Sequence, residues 1–116
     1  MVGKYTPEQG DIILLNFNPQ SGHKQKGKRP VLVATSNQVF NNLTNVALVC
    51  PITRTKRAFP LHVALGDGTK TVGYVMCEQV KSLDLAARKV QFFEKAPPDV
   101  VEQVVDILYG IIERVD

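Results

Sequence analysis

Acidic side chains are absent from residues 12–66, whereas Lys24, Lys26, Lys28, Arg29, Arg54, Lys56 and Arg57 all fall within that span. The net charge of +3 hides this separation, because residues 97–116 carry Asp99, Glu102, Asp106, Glu113 and Asp116 against Arg114 alone. A basic region without carboxylates suits a partner rich in phosphate, and an acidic protein is attracted to it equally well. No apolar run approaches the roughly 18 residues that a membrane-spanning helix needs, and Met1-Val2-Gly3-Lys4 opens no signal-peptide pattern. The expected compartment is the cytoplasm. Cys50 and Cys77 each sit inside an apolar segment without a second ligand at metal spacing, so both are expected as reduced core residues. Paired carboxylates for hydrolysis, a Ser-His-Asp spacing, a phosphate-binding glycine fingerprint and a cluster of metal ligands are missing as well. No metal or cofactor is expected.

What is present suits one soluble domain. The chain has 116 residues, of which 44% are hydrophobic and 22% charged, enough for a single core without disulfide or metal support. No internal repeat or linker divides it, so residues 1–116 are read as one unit.

The most informative stretch joins a basic loop to an apolar strand. The loop half is Gly22-His23-Lys24-Gln25-Lys26-Gly27-Lys28-Arg29, and the strand half is Pro30-Val31-Leu32-Val33-Ala34-Thr35-Ser36. Pro30 fixes its own φ and pushes Arg29 towards an extended conformation, which holds the last cation of the loop at a rigid strand mouth. The two glycines permit close backbone approach, and lysines on such a loop suit a polyanion. His23 is read as a surface histidine rather than a general base, and His62 as an exposed or edge residue without a role.

Short apolar runs bounded by glycine, proline and asparagine predict strands at 12–17, 31–35, 46–52 with its end at Thr53, 61–65, 71–77 and 89–93. The connection 18–29 is long for a small β domain, and loops of this kind are commonly functional or disordered. Asn41-Asn42 closes another connection, with a helical turn around Val39 and Phe40. Residues 78–83 are read as a turn. Pro97-Pro98 ends the β pattern, and a helix is expected from Asp99 towards Val115, with Val101, Val104, Val105, Leu108, Ile111 and Ile112 on one apolar stripe. That stripe is assigned to packing against the sheet or a second copy of the chain. The fold class is mainly β with a C-terminal helix, a strongly curved antiparallel sheet or small barrel.

In this order of elements the start of one strand, Arg29, lies beside the end of another, Thr53, if the two are antiparallel neighbours. A cation, a hydroxyl and a lysine-lined groove fit metal-free phosphodiester chemistry on RNA, which supplies its own 2′-hydroxyl nucleophile. Arg29 would grip the non-bridging oxygens through its planar fork, with Thr53 adding a neutral hydrogen bond.

Four segments at compatible spacing resemble the MazF/PemK type II toxin endoribonucleases. They are residues 5–17 with Gly10-Asp11; Gly22 followed by Gln25-Lys26-Gly27-Lys28-Arg29-Pro30-Val31; Pro51-Ile52-Thr53; and Glu78-Gln79-Val80-Lys81-Ser82. The resemblance covers nearly the whole chain. It implies a small SH3-like barrel with a C-terminal helix, a homodimer, and metal-independent, sequence-specific cleavage of single-stranded RNA, mRNA included. The products would be 2′,3′-cyclic phosphate and 5′-hydroxyl ends. It also implies inhibition by a cognate antitoxin whose acidic tail occupies the groove. The resemblance then places catalysis on Arg29 and Thr53, with Phe17, Gln79 and Lys81 holding RNA; the basic loop and the basic run after Thr53 add His23, Lys24, Gln25, Lys28, Arg54 and Lys56 as RNA-binding candidates. Phe17 is suited to stacking on an unpaired base or to closing the core at a strand end. Many relatives carry Glu where this chain has Lys24, and a protonated lysine accepts no proton, so weakened cleavage is expected. The competing expectations are a CcdB-like gyrase poison that acts without catalysis, and a catalytically impaired module that binds RNA or antitoxin. The chain end Ile111-Ile112-Glu113-Arg114-Val115-Asp116 lacks the tryptophan-glycine-isoleucine ending of the gyrase poisons.

Overall fold

Three consecutive strands carry almost unbroken apolar runs, which is what a sheet covered on both faces requires. They are β1 (Asp11–Leu15), β2 (Arg29–Val33) and β3 (Val46–Thr53), antiparallel neighbours in the order β3-β2-β1. Our computed structural model describes residues 5–16, 28–36 and 44–115. The connections around Asn41-Asn42, Val39 and Phe40 lie outside the described residues, as does most of the 18–29 loop.

Alternation along each strand sorts the core into two halves. Ile12, Leu32 and Cys50 face one side, where Val63, Leu65, Val75 and Cys77 join them beneath the C-terminal helix. Ile13, Leu15, Val31, Val33, Ala47 and Val49 face the other, packed with Leu85. Three short strands extend the sheet from β3: β4 (His62–Ala64), β5 (Tyr74–Met76) and β6 (Lys81–Asp84). β5 pairs with the end of β3, and β6 pairs with its beginning. β7 (Gln91–Lys95) closes the other flank against β1, with a register shift that turns Glu94 towards the helix side and Phe92 away from it. The sheet path runs β4-β5-β3-β2-β1-β7, with β6 off it, and among the described residues its two edges do not pair. The expected curved antiparallel architecture with one C-terminal helix is therefore present as an open sheet.

Helix α1 (Pro98–Ile111) starts with Pro98 in its first turn, where a missing N–H costs nothing, and with Asp99 at the positive end of the helix dipole. Its buried face is Val100 and Val104, flanked by Val101, Ile107 and Leu108. The expected stripe is corrected at its end. Ile111 and Ile112 are exposed because the helix outruns the sheet beneath it. Residues 78–83, expected as a turn, contain one at Cys77–Gln79 and then β6. The strand expected at 71–77 is confined to Tyr74–Met76, since the backbone at Gly73 takes φ +141°, outside strand geometry.

The chain enters β1 through a polar anchor. Asp11, 1% exposed, accepts hydrogen bonds from the Tyr5 hydroxyl, from the Glu8 N–H at 2.9 Å and from Lys95 Nζ at 2.6 Å. Burial, then the Asp11 carboxylate, pushes the Tyr5 phenol up, so the phenol stays a donor.

Candidate active site

Arg29 opens β2 and Thr53 ends β3, and the ladder between these strands runs Val31↔Pro51, Leu32↔Cys50 and Val33↔Val49. Continued by two residues, the same register sets Arg29 opposite Thr53. Alternation puts both on the face of Val31 and Val49, the side away from α1. They line one open cleft of about 580 Å³ together with Pro30, Pro51, Ile52, Arg54, Val72 and Met76. The sequence expectation that these two ends come together is met in the backbone register and in this shared cleft.

The chemistry of each group follows from its neighbours. Arg29 is exposed, and no described carboxylate pairs with it, so its planar fork is available to an anion. Thr53 Oγ1 accepts the Thr55 N–H at 3.1 Å, which occupies a lone pair and leaves the hydroxyl proton to donate into the cleft. The arrangement can therefore bind an anionic oxygen between a fixed cation and a neutral donor.

The other residues expected to contact RNA are placed as follows. Arg54 lines the cleft, while Lys28 and Lys56 are exposed beside it in sequence. Lys81 pairs with Val49, which lies on Thr53's face four residues back along β3. A separation of about 13 Å along the strand follows. Gln79 is exposed at the end of the turn that leads into β6. Phe17, His23, Lys24 and Gln25 lie outside the described residues.

Two features were misjudged or missed from sequence. His62 sits on the edge strand as expected, but its side chain is only 5% exposed and meets Glu78 Oε2 at 3.0 Å, with Phe59 edge-on at 5.0 Å. Among the described residues its Nδ1 and Glu78 Oε1 have no partner. This pair fastens the turn carrying Gln79 to β4, a link that requires two segments distant in sequence. The second is Gly73, whose backbone lies against the Thr53 carbonyl. A glycine inside a predicted strand was the available signal for such an approach.

Cys50 and Cys77 are free and buried. The hydrogen bond to Cys77, followed by burial, pushes the Cys50 thiol up, as suits an inert core thiol. Among the described residues no group of three or more His, Cys, Asp or Glu is placed to hold a metal. No described helix is long and apolar enough to cross a membrane.

Comparison with known proteins gives consistent matches. The family model described as PemK-like, MazF-like toxin of type II toxin-antitoxin system matches residues 8–112. The endoribonuclease toxin ChpB of Escherichia coli K12 is 40% identical over 97% of this chain and 100% of its own length. The endoribonuclease PemK of Escherichia coli is 35% identical over 90% of this chain and 81% of its own. A MazF chain in a MazE-MazF crystal structure from Deinococcus radiodurans superposes with TM-score 0.82 at 32% identity, covering 96% of this chain and 100% of that one.

Proposed function

The chain belongs to the PemK-like, MazF-like toxins of type II toxin-antitoxin systems, and from that membership we propose that it is a metal-independent endoribonuclease acting on single-stranded RNA, mRNA included, at short sequences. The observation that carries this reading is the shared cleft of Arg29 and Thr53 at facing strand ends.

The reaction needs alignment and charge stabilisation more than a dedicated nucleophile. The ribose 2′-oxygen attacks the adjacent phosphorus and gives up its proton, and the bond to the 5′-oxygen breaks as that oxygen gains one. Products are a 2′,3′-cyclic phosphate and a 5′-hydroxyl. Arg29 grips the non-bridging oxygens, whose charge grows in the pentacoordinate state, and Thr53 donates its hydroxyl proton to the same group. Arg54, which lines the cleft, and Lys81, paired with Val49 on the face of Thr53, track the strand's neighbouring phosphates.

Partners follow the same surface. An antitoxin with an acidic tail would compete for the cleft, in keeping with the MazE-MazF assemblies of the structural relatives. A second copy of the chain is supported by the exposed apolar end of α1, where Tyr109 is 72% and Ile112 78% exposed. The setting that suits such a substrate is the cytoplasm.

The test is direct. Purified protein is incubated with a long single-stranded RNA in EDTA and the ends are mapped. Discrete cuts with cyclic phosphate ends, lost in Arg29→Ala and reduced in Thr53→Ala, support the reading. Intact RNA at high protein concentration overturns it, and stalled gyrase in a parallel assay would point to the non-enzymatic poison instead.

A further inference from the structure

Gly73 occupies a backbone conformation, φ +141°, that side chains resist, and a Cβ built there would collide with the Thr53 carbonyl oxygen and lie 2.9 Å from its carbonyl carbon. The strand end that carries Thr53 is therefore packed directly against a bare backbone. That backbone is itself held at two points. Its carbonyl accepts the Leu65 N–H at 3.0 Å, and the residues just before it are fastened to the opposite edge of the sheet. There the Glu94 carboxylate accepts the Lys70 N–H at 3.0 Å, the Thr71 N–H at 2.8 Å and the Thr71 hydroxyl at 2.6 Å. Between these fastenings lies Val72, 61% exposed, which forms a wall of the cleft.

We propose that residues 69–73, anchored by Glu94 and ending in Gly73, are the positioning element for Thr53: they fix where its hydroxyl points into the cleft. This inference rests on the reading of Thr53 as a transition-state donor. The physical reason is that Thr53 ends its strand. A terminal residue frays unless its backbone is buttressed, and a neutral hydrogen bond contributes to catalysis only when its donor is held where charge develops. β5 supplies ladder partners through Tyr74, but the last contact, on the carbonyl of Thr53 itself, comes from Gly73. Glu94 adds rigidity that the connection between β4 and β5 could not generate alone, because its anchor comes from β7. Gly73 and Glu94 carry no positive charge to offer RNA, so their action should appear in turnover and not in substrate binding.

The experiment compares Gly73→Ala, Glu94→Gln and the control Gly66→Ala, each alone and combined with Thr53→Ala. The substrate is an RNA oligonucleotide containing one mapped cut, followed under multiple- and single-turnover conditions. Gly66 also has positive φ, +76°, but nothing lies within 4 Å of its missing Cβ, so it reports backbone strain without contact at Thr53. Expected is a kcat loss of tenfold or more for Gly73→Ala and threefold or more for Glu94→Gln, with KM within twofold and cooperative melting retained. In the Thr53→Ala background each should cost less than twofold, because the group they position is gone. Gly66→Ala should lower the melting temperature and leave kcat unchanged. Equal losses in both backgrounds, or a loss expressed in KM, would overturn the proposal. If Gly73→Ala does not fold, the Glu94→Gln cycle decides on the same criteria. Thr53→Ala with full activity is a separate outcome that removes the catalytic assignment of Thr53, and the positioning role with it.

Discussion

Arg29 and Thr53 face each other across the mouth of the β2–β3 ladder, on the side of the sheet turned away from α1, and both open onto one cleft. A cation that cannot lose its proton beside a neutral hydroxyl is an anion site whose two halves respond differently to substitution.

Arg29→Ala is expected to lower kcat on single-stranded RNA by about 10²- to 10³-fold, the usual cost of removing a main charge-stabilising donor. Arg29→Lys should recover only a small part, because an ammonium cannot reproduce the two-pronged grip of the guanidinium. Full activity in the lysine variant would show that charge alone matters.

Arg54 and Lys81 are expected to act on binding. Each alanine substitution should flatten the dependence of log affinity on log salt by about 0.7, the contribution of one phosphate contact on a single strand. Titrations of a non-cleavable RNA at several salt concentrations measure it. An unchanged slope for either residue would remove it from the RNA path.

Lys24→Glu should cleave faster than the parent chain if an acid at that position accepts a proton. Equal initial rates on the same RNA across a range of pH would dispose of the idea that Lys24 weakens this chain.

Asp11→Ala should destabilise the fold by about 2 kcal/mol, because it strands the Tyr5 hydroxyl and the Glu8 N–H at the entry to β1. Denaturant unfolding reads the loss. The activity per folded molecule should stay close to that of the parent, since Asp11 opens β1 beside β7 and does not line the cleft.

Burial opposes the charge on Glu94, but the hydrogen bonds from Thr71 and Lys70 outweigh it and hold its pKa below the ordinary carboxylate range. The sign follows from that depression. The stabilisation is fully present above the unfolded value of about 4.3 and disappears as pH falls through the lower folded value. Melting temperature measured from pH 6 downwards should therefore decline in that window, and Glu94→Gln should show a shallower decline. Identical acid limbs for the two proteins would contradict this account.

Much of this site is legible in the sequence because its signals are local. Pro30 dictates extended backbone around Arg29, Pro51-Ile52-Thr53 ends an apolar run, and the absence of acids from 12–66 keeps the neighbourhood basic. Other features have no local signal. β6 reads Lys81-Ser82-Leu83-Asp84, too polar to look like a strand, and exists because β3 offers it unpaired backbone groups. The burial of His62 depends on Glu78 from another segment, and exposure of Ile111 and Ile112 depends on where the underlying sheet stops.

Residue order alone thus determined the class of fold, the charge separation and the two groups at facing strand ends, because strand patterning, proline and charge act over a few neighbours. Which side of the sheet they face, and what holds Thr53 in place, was decided only when distant segments met. Gly73 against the Thr53 carbonyl and Glu94 on Thr71 are contacts across the fold, and no local propensity encodes them.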